Sequence, residues 1–290
     1  MRRASLIEKD SVQIATVKDL TGVFESIAST QVAKVKGKVD LSTSFFKLLW
    51  RRYKSIRIDP STHITNRDTS TKNPKNVFVI ISAEAGLSGD IDQRLIETML
   101  QDYNEKETDI IVLGTHGANQ LIQRGISFSH YFQVPESEEY IDVSPVIAAV
   151  LPYSRAIVYF EEYISLGVQE IKKIDLISSI KSMSEAAEDQ DESDLMTVED
   201  TIFEPSLDEI ADQMETTMMT LALSQTILES SLAQAASRFS AMAVAKKRAG
   251  ELLDSYMLAF HRAKRSESDR RLREIMVSLK KKKQNAGGAN

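Results

Sequence analysis

The feature that most constrains the fold is an apolar repeat in the last third of the chain. From residue 207 to residue 286 there is no proline and a single glycine, Gly250. Positions spaced alternately four and three residues apart are apolar, except at Gln225 and Lys246. The repeat runs through Met214, Met218, Leu221, Gln225, Leu228, Leu232, Ala235, Phe239, Met242, Lys246, Ala249, Leu253, Tyr256, Phe260 and Ala263. Such a 3.5-residue repeat is typical of a coiled-coil seam, and it predicts one helix roughly 75 Å long.

A second long helix with a narrow apolar stripe is predicted at the start of the chain. Residues 6 to 52 contain no proline. The stripe begins with Val17, Leu20, Phe24 and Ile27. We expect it to shift by one residue, as at a coiled-coil stutter, and to continue through Ala28, Val32, Val35, Val39, Phe46 and Leu49. Neither helix can bury its stripe alone, so the two are predicted to pair antiparallel.

The residues between the two helices are predicted to form an α/β domain. Apolar runs at 77–82, 109–114 and 156–160 indicate buried strands, the last continuing into a hairpin with 168–176. Helices are predicted at 90–103, 119–124 and 144–150. This alternation favours a Rossmann-like, mostly parallel sheet flanked by the N- and C-terminal helices of an antiparallel coiled coil.

The predicted organisation has five parts. They are a long N-terminal helix (1–57), an α/β domain (58–183), an acidic linker (184–205), a long C-terminal helix (206–283) and a disordered tail (284–290). The linker carries eight acids and no base between residues 184 and 200, whereas residues 262–283 carry ten bases against three acids. Both charge runs are typical of solvated segments, although the basic end also suits an acidic partner.

The amino-acid composition excludes several kinds of active site and cofactor. The chain has no cysteine, which excludes thiol catalysis and cysteine-ligated metals. Its four histidines are far apart and in no metal-binding spacing. No apolar run approaches the roughly 20 residues of a membrane span, and the first residues contain no apolar signal-peptide region. We therefore expect a soluble protein without a metal or other cofactor.

One glycine-containing turn raises the question of a nucleotide. Gly86 and Gly89 lie in a Gly-Leu-Ser-Gly turn between a predicted strand and a helix, where phosphate-binding loops occur. The turn lacks both the third glycine of a dinucleotide fingerprint and the Gly-Lys-Ser/Thr of a P-loop. Its glycines are sufficiently explained as a tight structural turn. His116 has no evident triad partner and is interpreted as a loop residue.

Four segments, taken in order, resemble the gamma subunit of rotary F-type ATP synthases. Residues 228–245 (LESSLAQAASRFSAMAVA) are similar to the family pattern L-E-S-x-A-S-E-x-A-A-R-M-x-A-M. Residues 202–205 (IFEP) resemble its Y/F-E-P segment, and residues 86–89 (GLSG) its G-L-C-G. Residues 20–28 (LTGVFESIA) are a weaker match to I-T-x-A-M-x-x-V-A. The resemblance covers nearly the whole chain.

The resemblance implies a non-catalytic rotor shaft in the central stalk. It would couple proton- or ion-driven rotation of the c-ring to conformational changes at the catalytic sites of the alpha/beta hexamer, beside the epsilon subunit. The chain would bind no nucleic acid. It would meet the membrane only through the c-ring, on the cytoplasmic side of a bacterial cell membrane. The resemblance places Phe24, Arg238, Ala241, Met242 and Lys264 at contacts between the shaft, the N-terminal helix and the beta subunits.

The same resemblance places Glu204 and Pro205 near the contact with the c-ring and the epsilon subunit. Two alternatives from other classes remain at this stage. One is a coiled-coil adaptor whose basic C-terminal helix binds nucleic acid or an acidic partner. The other is a small-molecule enzyme built on the α/β domain.

Overall fold

The computed structural model describes residues 4–55, 73–134, 142–176 and 207–287. In chain order, the elements are α1 (Ala4–Ser55), β1 (Asn73–Ile81), α2 (Ile91–Asp102), β2 (Thr108–Leu113), α3 (Thr115–Gln123), β3 (His130–Phe132), α4 (Ser144–Val150), β4 (Tyr153–Ser165), β5 (Val168–Asp175) and α5 (Leu207–Gly287). The chain divides into a terminal unit, Met1–Ser26 with Ala241–Asn290, and a sheet unit, Ile27–Ser240. The predicted acidic linker, 184–205, lies outside the described residues.

The sheet unit contains five strands in the order β3-β2-β1-β4-β5. β1 pairs in parallel with β2 and with β4, and β2 pairs in parallel with β3. β4 and β5 form the antiparallel hairpin at one edge. The mostly parallel sheet and the hairpin were both predicted and are confirmed. β3 was not predicted, because three residues are too few to show a periodic pattern.

Both faces of the sheet are buried along β1 and β2, which explains why these strands read as continuous apolar runs. Along β1, Val77, Val79 and Ile81 belong to one buried cluster, which also contains residues of α4 and of α5 from Met218 to Ile227. Phe78 and Ile80 belong to a second cluster, formed with α2 and α3. The C-terminal helix therefore supplies part of the core of the sheet unit.

The helix α3 begins four residues before its predicted start at residue 119. Gly114 precedes it with φ of 97°, a conformation that favours glycine. The backbone N–H of Thr115, in the first turn, donates to Glu84 Oε2 at 3.1 Å. A side chain 31 residues away thus accepts a hydrogen bond from a free N–H of the first turn. No pattern in the local sequence predicts this contact.

Within the sheet unit, α1 and α5 pack against each other in antiparallel directions. Val32 and Val35 of α1 form a buried cluster with Leu232, Ala235 and Ala236 of α5. Further along α1, Thr43 Oγ1 accepts a hydrogen bond of 3.1 Å from Gln225 Nε2. The predicted stripe from Ala28 to Leu49 is confirmed as the contact face of α1, because all its members are buried or half-buried.

The two helices also pair antiparallel within the terminal unit. The backbone N–H of Ala4 donates to Glu267 Oε1 at 3.2 Å, and Lys246 Nζ lies 2.8 Å from Glu25 Oε2. The predicted repeat of α5 is confirmed here too. Ala249 is buried, and the next members are half-buried in a stretch whose other side chains are mostly exposed; they are Leu253, Tyr256, Phe260 and Ala263. α5 extends four residues beyond the end predicted at residue 283.

The predicted first part of the α1 stripe is wrong. Val17 and Leu20 are 52% exposed, Phe24 is 40% exposed and Ile27 is 55% exposed. The contact face of α1 shows no stutter. It continues in one register with half-buried or buried residues, namely Ala4, Ile7, Ser11, Ile14, Lys18, Thr21, Glu25 and Ala28.

Polar residues of α1 lie on this face because residues of α5 pair with them or leave space for their side chains. Lys246 interrupts the apolar repeat of α5 and pairs with Glu25. A Cβ at Gly22 would lie 3.5 Å from Lys246 Cε, and one at Gly250 would lie 3.8 Å from Lys18 Cε. The methylene stems of the two lysines therefore lie over glycines of the facing helix.

Candidate functional site

The C-terminal helix is fastened to the loop that follows β1. Ser237 Oγ donates to the carbonyl oxygen of Ser88 at 2.6 Å. The Arg238 guanidinium donates to the carbonyl oxygens of Gly86, at 3.3 Å from Nε, and Ala85, at 3.1 Å from Nη2. Three carbonyls of one turn are thus bonded to two neighbouring residues of α5. We call residues 82–90 the β1–α2 loop.

Arg238 also reaches the N-terminal helix, because its Nη1 donates to Gln31 Oε1 of α1 at 3.3 Å. Its side chain is half-buried, and burial lowers the pKa of the guanidinium, while the negative charge of Asp92 acts in the opposite direction. A single arginine therefore joins α1, α5 and the β1–α2 loop within the sheet unit.

The loop turns through two residues with positive φ, Leu87 at 71° and Gly89 at 74°. Gly86 has no positive φ, and a Cβ there would lie 3.8 Å from His116 Nε2, an ordinary contact. Gly89 thus occupies a backbone conformation that favours glycine, whereas Gly86 does not. The engaged carbonyls give the loop a structural attachment to α5.

Ser82, which directly follows β1, packs closely against the end of β2 and the start of α3. Its Oγ donates to the carbonyl oxygen of Leu113 at 2.9 Å and accepts from the backbone N–H of Gly117 at 3.0 Å. A Cβ at Gly114 would lie 2.2 Å from the carbonyl oxygen of Ser82, and one at Gly117 would lie 2.4 Å from its Oγ. Both glycines are needed, because the backbone of Ser82 approaches Gly114 and its side chain approaches Gly117 more closely than a Cβ at either position would allow.

Two carboxyl groups are buried near the C-terminal end of β1. Asp92, in the first turn of α2, accepts hydrogen bonds from Ala83 N at 2.8 Å and from Ser88 Oγ at 3.1 Å. His116 Nδ1 lies 3.0 Å from Asp92 Oδ2. Glu161, within β4, is wholly inaccessible to solvent. Its Oε2 accepts hydrogen bonds from two residues of α5, Ser230 and, at 3.1 Å, Gln234.

The remaining residues proposed from the sequence lie in different places. Met242 is buried, Ala241 is half-buried, and Phe24 is partly exposed on a face of α1 next to the seam. Lys264 is exposed, with its Nζ 5.7 Å from the ring centroid of Phe260. Glu204 and Pro205 lie outside the described residues.

The sequence reasoning missed Glu161, Asp92 and Gln31. Glu161 follows an apolar run directly, and a carboxylate that continues a buried strand signals a paired or protonated group. Asp92 carried a weaker signal, as an acid in the first turn of a helix after a glycine turn. No pattern in α1 distinguished Gln31 from its exposed neighbours.

The site offers no evident catalytic machinery among the described residues. No group of three or more His, Asp or Glu side chains there is arranged to hold a metal ion. In the part of the chain that the structure covers, no helix combines the length and apolar character needed to cross a bilayer. The hydrogen bonds of Ser237 and Arg238 connect the loop after β1 to two long helices, α1 and α5.

Comparison with known proteins identifies the family. The model of the family described as ATP synthase matches residues 7–280. The chain belongs to the ATP synthase family. A relative from Halothermothrix orenii named ATP synthase gamma chain is 21% identical over 276 residues, which cover 91% of this chain and 93% of the relative. One of the same name from Alkaliphilus metalliredigens is 23% identical over 281 residues, covering 93% and 95%. The resemblance noted in the sequence is confirmed.

Solved ATP synthase structures share the fold. The central stalk and c-ring structure of the Tetrahymena thermophila mitochondrial ATP synthase contains a chain that matches with a TM-score of 0.58 and 14% identity, covering 78% of this chain and 99% of that one. A chain of the Euglena gracilis mitochondrial ATP synthase matches with a TM-score of 0.56 and 13% identity, covering 93% and 97%. The predicted fold class, two long helices flanking a mostly parallel sheet, is confirmed.

Proposed function

We propose that this chain is the rotor shaft in the central stalk of a rotary ATP synthase. In this role it couples proton- or ion-driven rotation of the c-ring to conformational changes at the catalytic sites of an alpha/beta hexamer. The observation that carries the proposal is the antiparallel pairing of the two chain ends, in a member of the ATP synthase family whose other unit contains a mostly parallel sheet. Catalysis takes place on the partner subunits, and this chain binds no nucleotide.

Unpartnered apolar side chains in the terminal unit support a surrounding partner. On α1, Val17, Leu20 and Val23 are more than half exposed. Towards the end of α5, the exposed apolar residues are Leu272, Ile275, Met276, Val277 and Leu279. Exposed apolar surface of this extent marks interaction sites in soluble proteins, and it suits the alpha and beta subunits as partners.

Specific contacts follow from the proposal. Phe24, Ala241, Met242 and Lys264 belong to the contacts of the shaft with the N-terminal helix and the beta subunits. Arg238 belongs to the same region, and its bond to Gln31 supports its assignment to the junction with the N-terminal helix.

Other parts of the chain have other partners in the proposal. Glu204 and Pro205 lie near the c-ring, with the epsilon subunit beside the α/β domain. The chain is peripheral on the cytoplasmic side of a bacterial membrane and reaches that membrane only through the c-ring.

Assembly with the partner subunits is the deciding experiment. The chain, tagged at its C-terminus, is co-expressed with the alpha and beta subunits of its own source, and the tagged complex is isolated. We expect one copy of this chain for three alpha and three beta subunits, ATP hydrolysis by the complex, and none by the isolated chain. Rotation of a bead attached to the α/β domain on addition of ATP then tests the shaft role directly.

The same preparation separates the competing interpretations. Recovery of the chain without stoichiometric alpha and beta subunits contradicts the rotor proposal. Binding of the isolated chain to DNA, with an affinity that falls steeply as salt is raised, instead favours the adaptor with a basic C-terminal helix.

A further inference from the structure

Glu161 is a buried acid whose hydrogen bonds are incomplete. Its Oε2 accepts from Ser230 Oγ and from Gln234 Nε2, and Gln234 Nε2 also donates to Ser230 Oγ at 3.0 Å. Its Oε1 is equally buried and makes no hydrogen bond with any residue that the structure describes. No arginine or lysine in the described part of the chain forms an ion pair with it. An ionised carboxylate in such surroundings costs several kcal/mol.

Three elements contribute ionisable groups that act on Glu161 or on Asp92. α2 contributes Asp92, whose negative charge acts directly on Glu161. α3 contributes His116, which is bonded to Asp92 rather than to Glu161. α5 contributes Arg238, which is electrostatically coupled to Asp92 while its N–H groups bond to backbone carbonyls and to Gln31.

The remaining neighbours add no cation. Opposite Glu161 in the hairpin, β5 places the uncharged Ile171. Glu229, which precedes Ser230 on α5, interacts with Glu162 and Lys172 instead. Among the described residues, the charge that acts on Glu161 is therefore that of another acid, Asp92.

A buried carboxyl group that lacks a cation and feels a negative charge favours its protonated form. Asp92 accepts hydrogen bonds from a backbone N–H and from a hydroxyl, lies beside the His116 ring and interacts electrostatically with Arg238. Glu161 can carry a proton at Oε1 without losing a bond, because no donor of the described residues is directed at that atom. Burial and the charge of Asp92 raise the pKa of Glu161 to about 8.

We propose that Glu161 holds a proton on its unpartnered buried oxygen, and that loss of this proton releases α5 from the sheet around Ser230 and Gln234. The chain thus contains a proton-controlled joint between its sheet and its C-terminal helix. The proposal rests on contacts within the sheet unit alone, so it stands or falls independently of the assembly into an ATP synthase.

The direction of the pH dependence follows from linkage. When the joint opens, Glu161 returns to the ordinary pKa of a solvated carboxyl, which lies well below its pKa in the closed joint. Between these two values, opening releases a proton, so the opening equilibrium constant rises about tenfold per pH unit. Below the lower value and above the upper one, opening is independent of the pH.

Amide hydrogen exchange of the full chain measures this opening. Exchange is recorded from about pH 6 to about pH 9 and corrected for the intrinsic rate, following the α5 amides of residues 226–240. We expect protection to fall about tenfold per pH unit up to about pH 8 and then to level off. Glu161→Gln should abolish this slope. Glu162→Gln, one position along the same strand, should keep it.

Two further measurements keep the test decisive if Glu161→Gln does not fold. Asp92→Asn removes the negative charge that acts on Glu161, and the pH at which protection levels off should then fall; an unchanged profile contradicts the proposal. In the unmodified chain, the carbon-13 resonance of the Glu161 carboxyl should titrate well above the range of a solvated glutamate. A titration in the ordinary range, a flat exchange profile in the unmodified chain, or a slope that persists in Glu161→Gln overturns the proposal.

Discussion

Replacing Gly117 by alanine tests the packing on which the candidate site is built. The new Cβ would lie 2.4 Å from Ser82 Oγ and 2.8 Å from Ser82 Cβ. Ser82 cannot move away freely, because its Oγ is bonded to Leu113 O and to Gly117 N and its backbone N–H donates to Leu113 O at 2.9 Å. Overpacking a close-packed interior costs about 1–3 kcal/mol, so we expect Gly117→Ala to lower the free energy of unfolding by that amount.

Urea unfolding followed by circular dichroism measures the loss. Gly37→Ala is the matched control, because Gly37 lies inside α1 with no other atom within 4 Å of the added Cβ, and it should stabilise the chain by roughly 0.5–1 kcal/mol. Ser82→Gly removes both clashing side-chain atoms, so Gly117→Ala should cost less in that background than in the natural one. Equal costs in the two backgrounds, or a Gly117→Ala chain as stable as the unmodified one, would refute the reasoning.

Three further predictions follow from the described contacts. Ala241→Pro interrupts α5 and should cost about 3 kcal/mol or more, so the co-expressed chain should no longer yield a rotating complex; normal ATP-driven rotation would contradict this. Met218→Ala empties a fully buried position and should cost about 2–5 kcal/mol in urea unfolding, whereas Met257→Ala at an exposed position should change stability by less than about 0.5 kcal/mol. Lys75 lowers the pKa of Asp109 through a 2.9 Å contact, so Asp109 contributes stability that is present at neutral pH and lost as the pH falls through its pKa. Lys75→Met should therefore cost stability in unfolding at pH 7 and progressively less in acid, and a cost that is the same at both pH values would argue against the ion pair.

The register of the C-terminal helix could be predicted from the sequence, and that of the N-terminal helix only in part. In α5 the apolar residues lie on the contact face, so their spacing identified it. In the first half of α1 the most regular apolar residues, Val17 and Leu20, lie outside the contact face, and Lys18 and Glu25 lie within it. Hydrophobic spacing cannot identify a face that is held by an ion pair and by lysine stems over glycines.

The candidate site shows the same limit at the level of single residues. The Gly86–Gly89 turn and its place between a strand and a helix were visible in the sequence. Its attachment to α5 through Arg238 and Ser237 was not, because those bonds join residues about 150 positions apart, as the separations of 152 and 149 show. The sequence likewise shows that Glu161 continues a buried strand, but it does not show which residues the fold brings beside that carboxyl group, and those residues decide whether it is paired or protonated.

The pairing of the two chain ends has a consequence for synthesis. Ala4 and Glu267, which are bonded in the terminal unit, are separated by 263 residues. At the usual rate of about 5–20 residues per second, the ribosome makes the second roughly 13 to 50 s after the first. For that time the first helix has no partner for Ile7 and Ile14. Lys18, Thr21 and Glu25 interrupt the apolar residues of this contact face. The unpaired helix therefore does not present a continuous apolar stripe, which lowers the risk that nascent chains on neighbouring ribosomes pair with one another.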